Sequence, residues 1–140
     1  MARTWNAKLS VGVALIDNQH RELFDRGDLL AEALRGARPA AELMRLAQYL
    51  ESWVAIHFDA EERLMQVHRH PGYQEHRAAH GDFRDRLAQV KERVRCGGGS
   101  AAEAEAVEAL MAWLVDHVRA ADAPVAELVL ERQPRPRHPF

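Results

Sequence analysis

Cysteine is almost absent from this chain: the single thiol, Cys96, excludes an internal disulfide. The start, Met1-Ala2-Arg3-Thr4-Trp5-Asn6, lacks the apolar run of a secretory signal, and together these absences predict a cytoplasmic location. No stretch approaches the roughly 18 uninterrupted apolar residues that a membrane span needs. Charge of one sign is lacking too. The formal charge is -2, with neither a basic stripe nor an acidic tail, which argues against nucleic acid as a partner. The 140 residues fit one domain, long enough to bury a core without covalent staples. What is abundant is histidine: eight residues, where average composition gives about half that number or fewer.

Residues 1 to 16 mix Trp5, Leu9, Val11, Val13, Leu15 and Ile16 with Gly12 and show no helical period, so they read as an arm packed across the body. Asp17 or Asn18 is placed to cap a first helix, on which His20, Leu23, Leu30 and Leu34 share one face until Gly36. Gly27 lies on that inward stripe, where a large apolar residue is expected; it predicts either a substitution compensated by neighbours or a cavity that admits gas. Pro39 suits the first turn of a second helix with Leu43, Leu46, Leu50, Trp53 or Val54, His57, Glu61 and Leu64 inward. His68-Arg69-His70-Pro71-Gly72 breaks it. A third helix follows, whose stripe His76, His80, Phe83, Leu87, Val90 and Val94 alternates steps of four and three. Gly97-Gly98-Gly99 ends it, and Ser100 with Glu103 forms a capping box for a fourth helix burying Val107, Leu110, Leu114, His117 and Ala121. Pro124 should end that helix, leaving Val125, Leu128 and Val129 as a short closing turn. The expected fold is all-α, an up-down-up-down four-helix bundle with an N-terminal arm and a short C-terminal segment. The domain spans residues 1 to 131, and residues 132 to 140, rich in proline and arginine, read as a disordered tail.

Each helix carries at least one histidine inward: His20, His57, the pair His76 and His80, and His117. Residues four apart on a helix are separated by about 400°, so His57 with Glu61, and His76 with His80, each present two metal-ligand types on one face. A lone histidine on an apolar face is more often a hydrogen-bonded core residue than a ligand. Five in one bundle layer differ, because burying them with Glu61 and no cation leaves groups unsatisfied at roughly 1 to 3 kcal/mol each.

The pattern Trp5, Asp17-x-x-His20, His57-Phe58-x-x-Glu61-Glu62, Met65, Pro71-x-x-x-x-His76-x-x-x-His80-x-x-Phe83 and Trp113-Leu114-x-x-His117-x-x-x-x-Asp122 resembles the hemerythrins, specifically the single-domain bacteriohemerythrins. The resemblance runs from about Trp5 to Asp122. It implies a non-haem centre of two iron ions bridged by Glu61, Asp122 and a solvent-derived oxygen. It further implies that His76, His80 and His117 complete one iron, while His20 and His57 hold the other and leave it a position for O2. A site of five histidines and two acids has fewer anionic ligands than bundle di-iron oxidases, which favours reversible O2 binding over O–O cleavage. Phe58, Trp113, Leu114 and Ile16 are candidates for a dry lining, with ordinary core as the plainer reading.

The expected function is thus O2 binding for transport, storage, delivery or sensing, not catalysis. The partners expected are O2 and, for delivery, an oxygen-recipient protein; a monomer is expected. The competing readings are an enzyme using the same centre on peroxide or nitric oxide, and iron storage or detoxification. One point of geometry stands out. His117 and Asp122 are five residues apart, about 500° on an ideal helix, so they diverge by about 140° unless a π-type turn intervenes. Glu62 is expected to face solvent or to back a ligand. His68, His70 and His138 are expected at the surface, and Cys96 is expected to be an incidental thiol.

Overall fold

The computed structural model describes residues 4–98 and 100–132, so the predicted tail beyond Arg132, with His138, lies outside the described residues. Four long helices form: α1 (Ala14–Arg35), α2 (Ala40–Val67), α3 (Tyr73–Arg95) and α4 (Ala101–His117). Each packs on its neighbour in sequence, and α4 closes the ring onto α1, giving an all-α up-down-up-down bundle. No helix among the described residues is long and apolar enough to cross a membrane.

The stripes read from sequence form the core. On α3, His76, His80, Phe83, Leu87, Val90 and Val94 are all buried, and on α1 so are His20, Leu23, Gly27, Leu30 and Leu34. On α2 the inward line is Leu43, Ala47, Leu50, Val54, His57, Phe58, Glu61 and Met65. Leu46 and Leu64, expected inward, are only partly covered, because a strict step of three or four on a long straight helix drifts off the buried seam. Each fully buried Leu or Phe contributes roughly 1.5–3 kcal/mol relative to exposure, so this seam supplies most of what holds the helices together.

The arm is pinned to α1 by two acids. Ser10 Oγ and the Val11 N–H donate to Asp17 at 2.6 and 2.8 Å, and Thr4 donates to Asp28 through N–H and hydroxyl at 2.9 and 2.6 Å. Trp5 lies under the Arg21 guanidinium, 4.4 Å from its ring centroid. The expected cap at Asp17 or Asn18 is therefore wrong: α1 begins one turn earlier, after Val13, and Asp17 spends its carboxylate on the arm. The arm itself contains a short 3-10 turn, Ala7–Leu9. At the other end of the bundle the capping box forms as expected, Ser100 accepting from the Ala102 N–H and Glu103 from the Ser100 N–H.

Gly27 opens no cavity. A Cβ there would stand 2.1 Å from Met111 Sδ and 2.8 Å from its Cε, so the Met111 thioether fills the place of the missing side chain. The expectation of a gas tunnel fails, and compensation by a neighbour is what occurs. Pro124 also departs from expectation, since the helix runs on. A π segment, Val118–Asp122, joins α4 directly to α5 (Ala123–Glu131), which buries Val125, Ala126 and Val129. The Ala123 N–H bonds to the Val118 carbonyl five residues back, and Pro124 sits at the start of α5, where its missing donor is tolerated.

Candidate metal centre

Seven buried side chains converge at one end of the bundle. Glu61, His76, His80, His117 and Asp122 offer ligand atoms that lie within 4.8 Å of one another, and so do His20, His57, Glu61 and Asp122. The two groups share the carboxylates and divide the histidines three to two. The seven residues expected from sequence to gather are brought to one place, the five histidines and Glu61 on the helix faces their stripes predict and Asp122 from beyond the α4 stripe.

The segment Val118–Asp122 is what admits Asp122. Its π turn carries the five-residue step from His117 that an α-helix would misdirect, and Asp122 ends fully buried, 3.0 Å from the His117, 3.0 Å from the His76 and 2.9 Å from the His20 Nε2 atoms. On α2, His57 and Glu61 stand one turn apart with Nε2 and Oε2 at 3.5 Å.

Hydrogen bonding alone does not satisfy this cluster. His117 Nε2 lies 3.2 Å from His80 Nε2 and 3.1 Å from His76 Nε2, while His20 and His57 bring their Nε2 atoms within 3.1 Å. An imidazole nitrogen is either an N–H donor or a lone-pair acceptor, so the bond made with one neighbour leaves the other facing it poorly matched. Glu61 Oε2 and Asp122 Oδ1 are buried, and although imidazole nitrogens stand 3.0 to 3.5 Å from them, none is aligned to donate a hydrogen bond. Five neutral nitrogens and two carboxylates aimed inward suit divalent transition-metal ions, whose charge would satisfy both orphaned oxygens.

The titration behaviour agrees. Burial and the nearby Asp122 push the Glu61 carboxyl well above its usual range. Asp122 goes the other way: although burial opposes its charge, the imidazoles of His117, His20, His57 and His76 hold it well below the usual carboxylate range. Burial likewise opposes charge on His76, but Asp122 and Glu61 outweigh it and raise His76 to about 9. His80 is lowered to about 2 by burial and by its histidine neighbours His76 and His117, and burial lowers His57. The metal-free cluster thus holds a proton on His76 and keeps His80 neutral.

Around the cluster, Phe58 stacks on His80 with centroids 3.7 Å apart and planes at 3°, and Trp113 stacks on His117 at 4.6 Å and 16°. Phe58, Leu114 and Ile16 are buried and Trp113 is half-buried. Glu62 backs one of the clustered histidines, its Oε2 accepting from His80 Nδ1 at 3.0 Å. Sequence reasoning missed Gln19, whose Oε1 lies 2.8 Å from His57 Nδ1. No local signal marks it, because Gln19 and His57 lie 38 residues apart in the chain. His70 is half-buried and not a surface residue as expected, because its Nδ1 accepts from the Gly72 N–H at 3.0 Å and closes the turn before α3. Cys96 is exposed at the end of α3.

Comparison with known proteins points the same way. The family model of the hemerythrin HHE cation binding domain matches residues 11–129. A bacteriohemerythrin of Pseudomonas paraeruginosa is 29% identical over 125 residues, covering 89% of this chain and 80% of its own length. A hemerythrin of Siphonosoma cumanense is 31% identical and a myohemerythrin of Sipunculus nudus 25% identical, each over 118 residues, 84% of this chain and 86% of the relative. With the match spanning the bundle and the π segment alike, the chain belongs to the hemerythrin family.

Proposed function

We propose that His20, His57, Glu61, His76, His80, His117 and Asp122 hold two iron ions and that this centre binds O2 reversibly. The observation that carries the reading is the pair of overlapping ligand groups, which share Glu61 and Asp122 and differ by one histidine. Two carboxylates common to both groups suit bridges between two ions, and the side with only His20 and His57 has room for a further ligand. Ferrous iron there would supply the electrons that O2 binding draws on. O2 itself is the ligand that membership of the hemerythrin family suggests.

The protein's own part is to orient and to dry. Gln19 and Glu62 accept from the outer nitrogens of His57 and His80, which fixes the tautomer that points Nε2 inward. Phe58 and Trp113 cover the faces of His80 and His117 and keep water away from the side chains that would hold the iron.

Anaerobic reconstitution with ferrous iron followed by cycles of O2 and argon tests the proposal. Two irons per chain and a visible absorption band that appears and vanishes reversibly are expected. Irreversible bleaching with turnover of peroxide or nitric oxide would replace the carrier by an enzyme. Iron uptake without either response would leave storage, and no iron uptake would sink all three.

A further inference from the structure

The two sides of the centre are backed by different chemistry. On the three-histidine side, His80 Nδ1 meets the Glu62 carboxylate at 3.0 Å, and the other Glu62 oxygen faces Arg77 at 3.9 Å. On the two-histidine side, His57 Nδ1 meets the Gln19 amide oxygen at 2.8 Å, and His20 Nδ1 is buried with no partner. Both Gln19 and Glu62 accept a hydrogen bond, so both orient their imidazole equally well. Only Glu62 can add negative charge to it.

We propose that Gln19 and Glu62 are positioning residues that also divide electron density unequally between the two metal positions, an inference that rests on the two-iron reading above. A carboxylate acceptor polarises the imidazole N–H and makes the opposite nitrogen a stronger donor; an amide does so weakly, and an unpartnered N–H not at all. The side with His76, His80 and His117 is therefore the better host for ferric charge. The side with His20 and His57 has no charged group behind either ring, which favours its ferrous state and easy release of a bound ligand. Gln19 is the specificity-determining position: a glutamate there would have the same reach and acceptor geometry but would add the charge that the two-histidine side lacks.

Two charge-changing substitutions of similar shape test this. In Glu62→Gln the acceptor is kept and the charge removed; in Gln19→Glu the charge is added on the opposite side. Both variants and the parent are loaded with ferrous iron, and iron per chain, midpoint potential at fixed pH and the position of the ferric ion in half-reduced samples by Mössbauer spectroscopy are measured. Two irons are expected in all three. Glu62→Gln should favour the reduced form about tenfold, raising a one-electron potential by about 59 mV, and Gln19→Glu should lower it by a similar amount while speeding oxidation in air about tenfold. The ferric ion should sit on the three-histidine side in the parent and spread to both sides in Gln19→Glu. Potentials that stay put or move together with iron retained overturn the proposal, as does iron loss in Glu62→Gln with no shift in Gln19→Glu, which would mark a merely structural role. A parent with two irons and opposite shifts in the variants but no reversible O2 band would overturn the proposed function and leave this inference standing. A parent that binds no iron overturns both.

Discussion

At the scale of single residues, His76 ties the centre to pH. Its imidazole, raised to about 9 by Asp122 and Glu61 against the cost of burial, is protonated at neutral pH in the metal-free protein and must lose that proton to bind a metal. Metal affinity should therefore rise with pH, by up to about tenfold per unit through this group, and level off above about 9; titration calorimetry in buffers of different ionisation enthalpy would register the released proton. The sign for the metal-free fold is opposite. A folded pKa above the ordinary 6.5 stabilises fully below 6.5, and that stabilisation fades as pH rises through about 9. Gly27 makes a second residue-scale test. Because a Cβ would meet the flexible end of Met111, its Sδ at 2.1 Å, Gly27→Ala should displace that thioether and forfeit most of the roughly 1 kcal/mol that alanine gains in a helix, as urea unfolding would show, and Met111→Ala in the same chain should restore that gain. The sequence showed the missing side chain but not its substitute, since which residue fills a gap depends on how α1 and α4 approach. Gln19 was illegible for a related reason: its partner His57 is far along the chain, and nothing local marks a glutamine as an acceptor.

At the scale of elements, the π segment Val118–Asp122 is where sequence and structure meet most closely. The five-residue step between His117 and Asp122 required it as soon as both were assigned to one cluster, because an α-helix would turn them about 140° apart. What remained hidden was the continuation into α5. Pro124 reads as a terminator only where the helix before it is regular, and the wider turn lets Pro124 begin α5. Inserting one alanine after Ala120 would lengthen the step from His117 to six residues, swing Asp122 about 100° from the cluster and draw α5 out of register. We expect iron content to fall to one ion or none with α1 to α3 intact by circular dichroism; two retained irons would contradict this account. The capping box of α4 offers a milder test, as Ser100→Ala should cost about 1 kcal/mol of stability with no effect on the centre.

At the scale of the whole molecule, one cluster ties all four helices and the π segment together, so metal loading should raise thermal stability as well as enable binding. Ligand in hundredfold excess over its Kd adds about 2.7 kcal/mol, or roughly 5–10 °C in Tm for a domain of this size, which calorimetry with and without chelator would detect. The bundle was legible because its stripes keep a helical period, and the arm because its apolar residues show none; what anchors the arm was not, because Asp17 and Asp28 look like surface acids until Ser10, Val11 and Thr4 are seen donating to them. The seam between α1 and α4 carries a consequence for durability. Met111 is only 3% exposed, yet it lines a groove together with Thr4, Asp28, Ala112 and Val115. Conversion of its thioether to a sulfoxide would force a polar oxygen against the backbone at Gly27, where no space is left for it. The contact that lets two helices close tightly is thus also a place where ageing in air would wedge them apart until the sulfoxide is reduced.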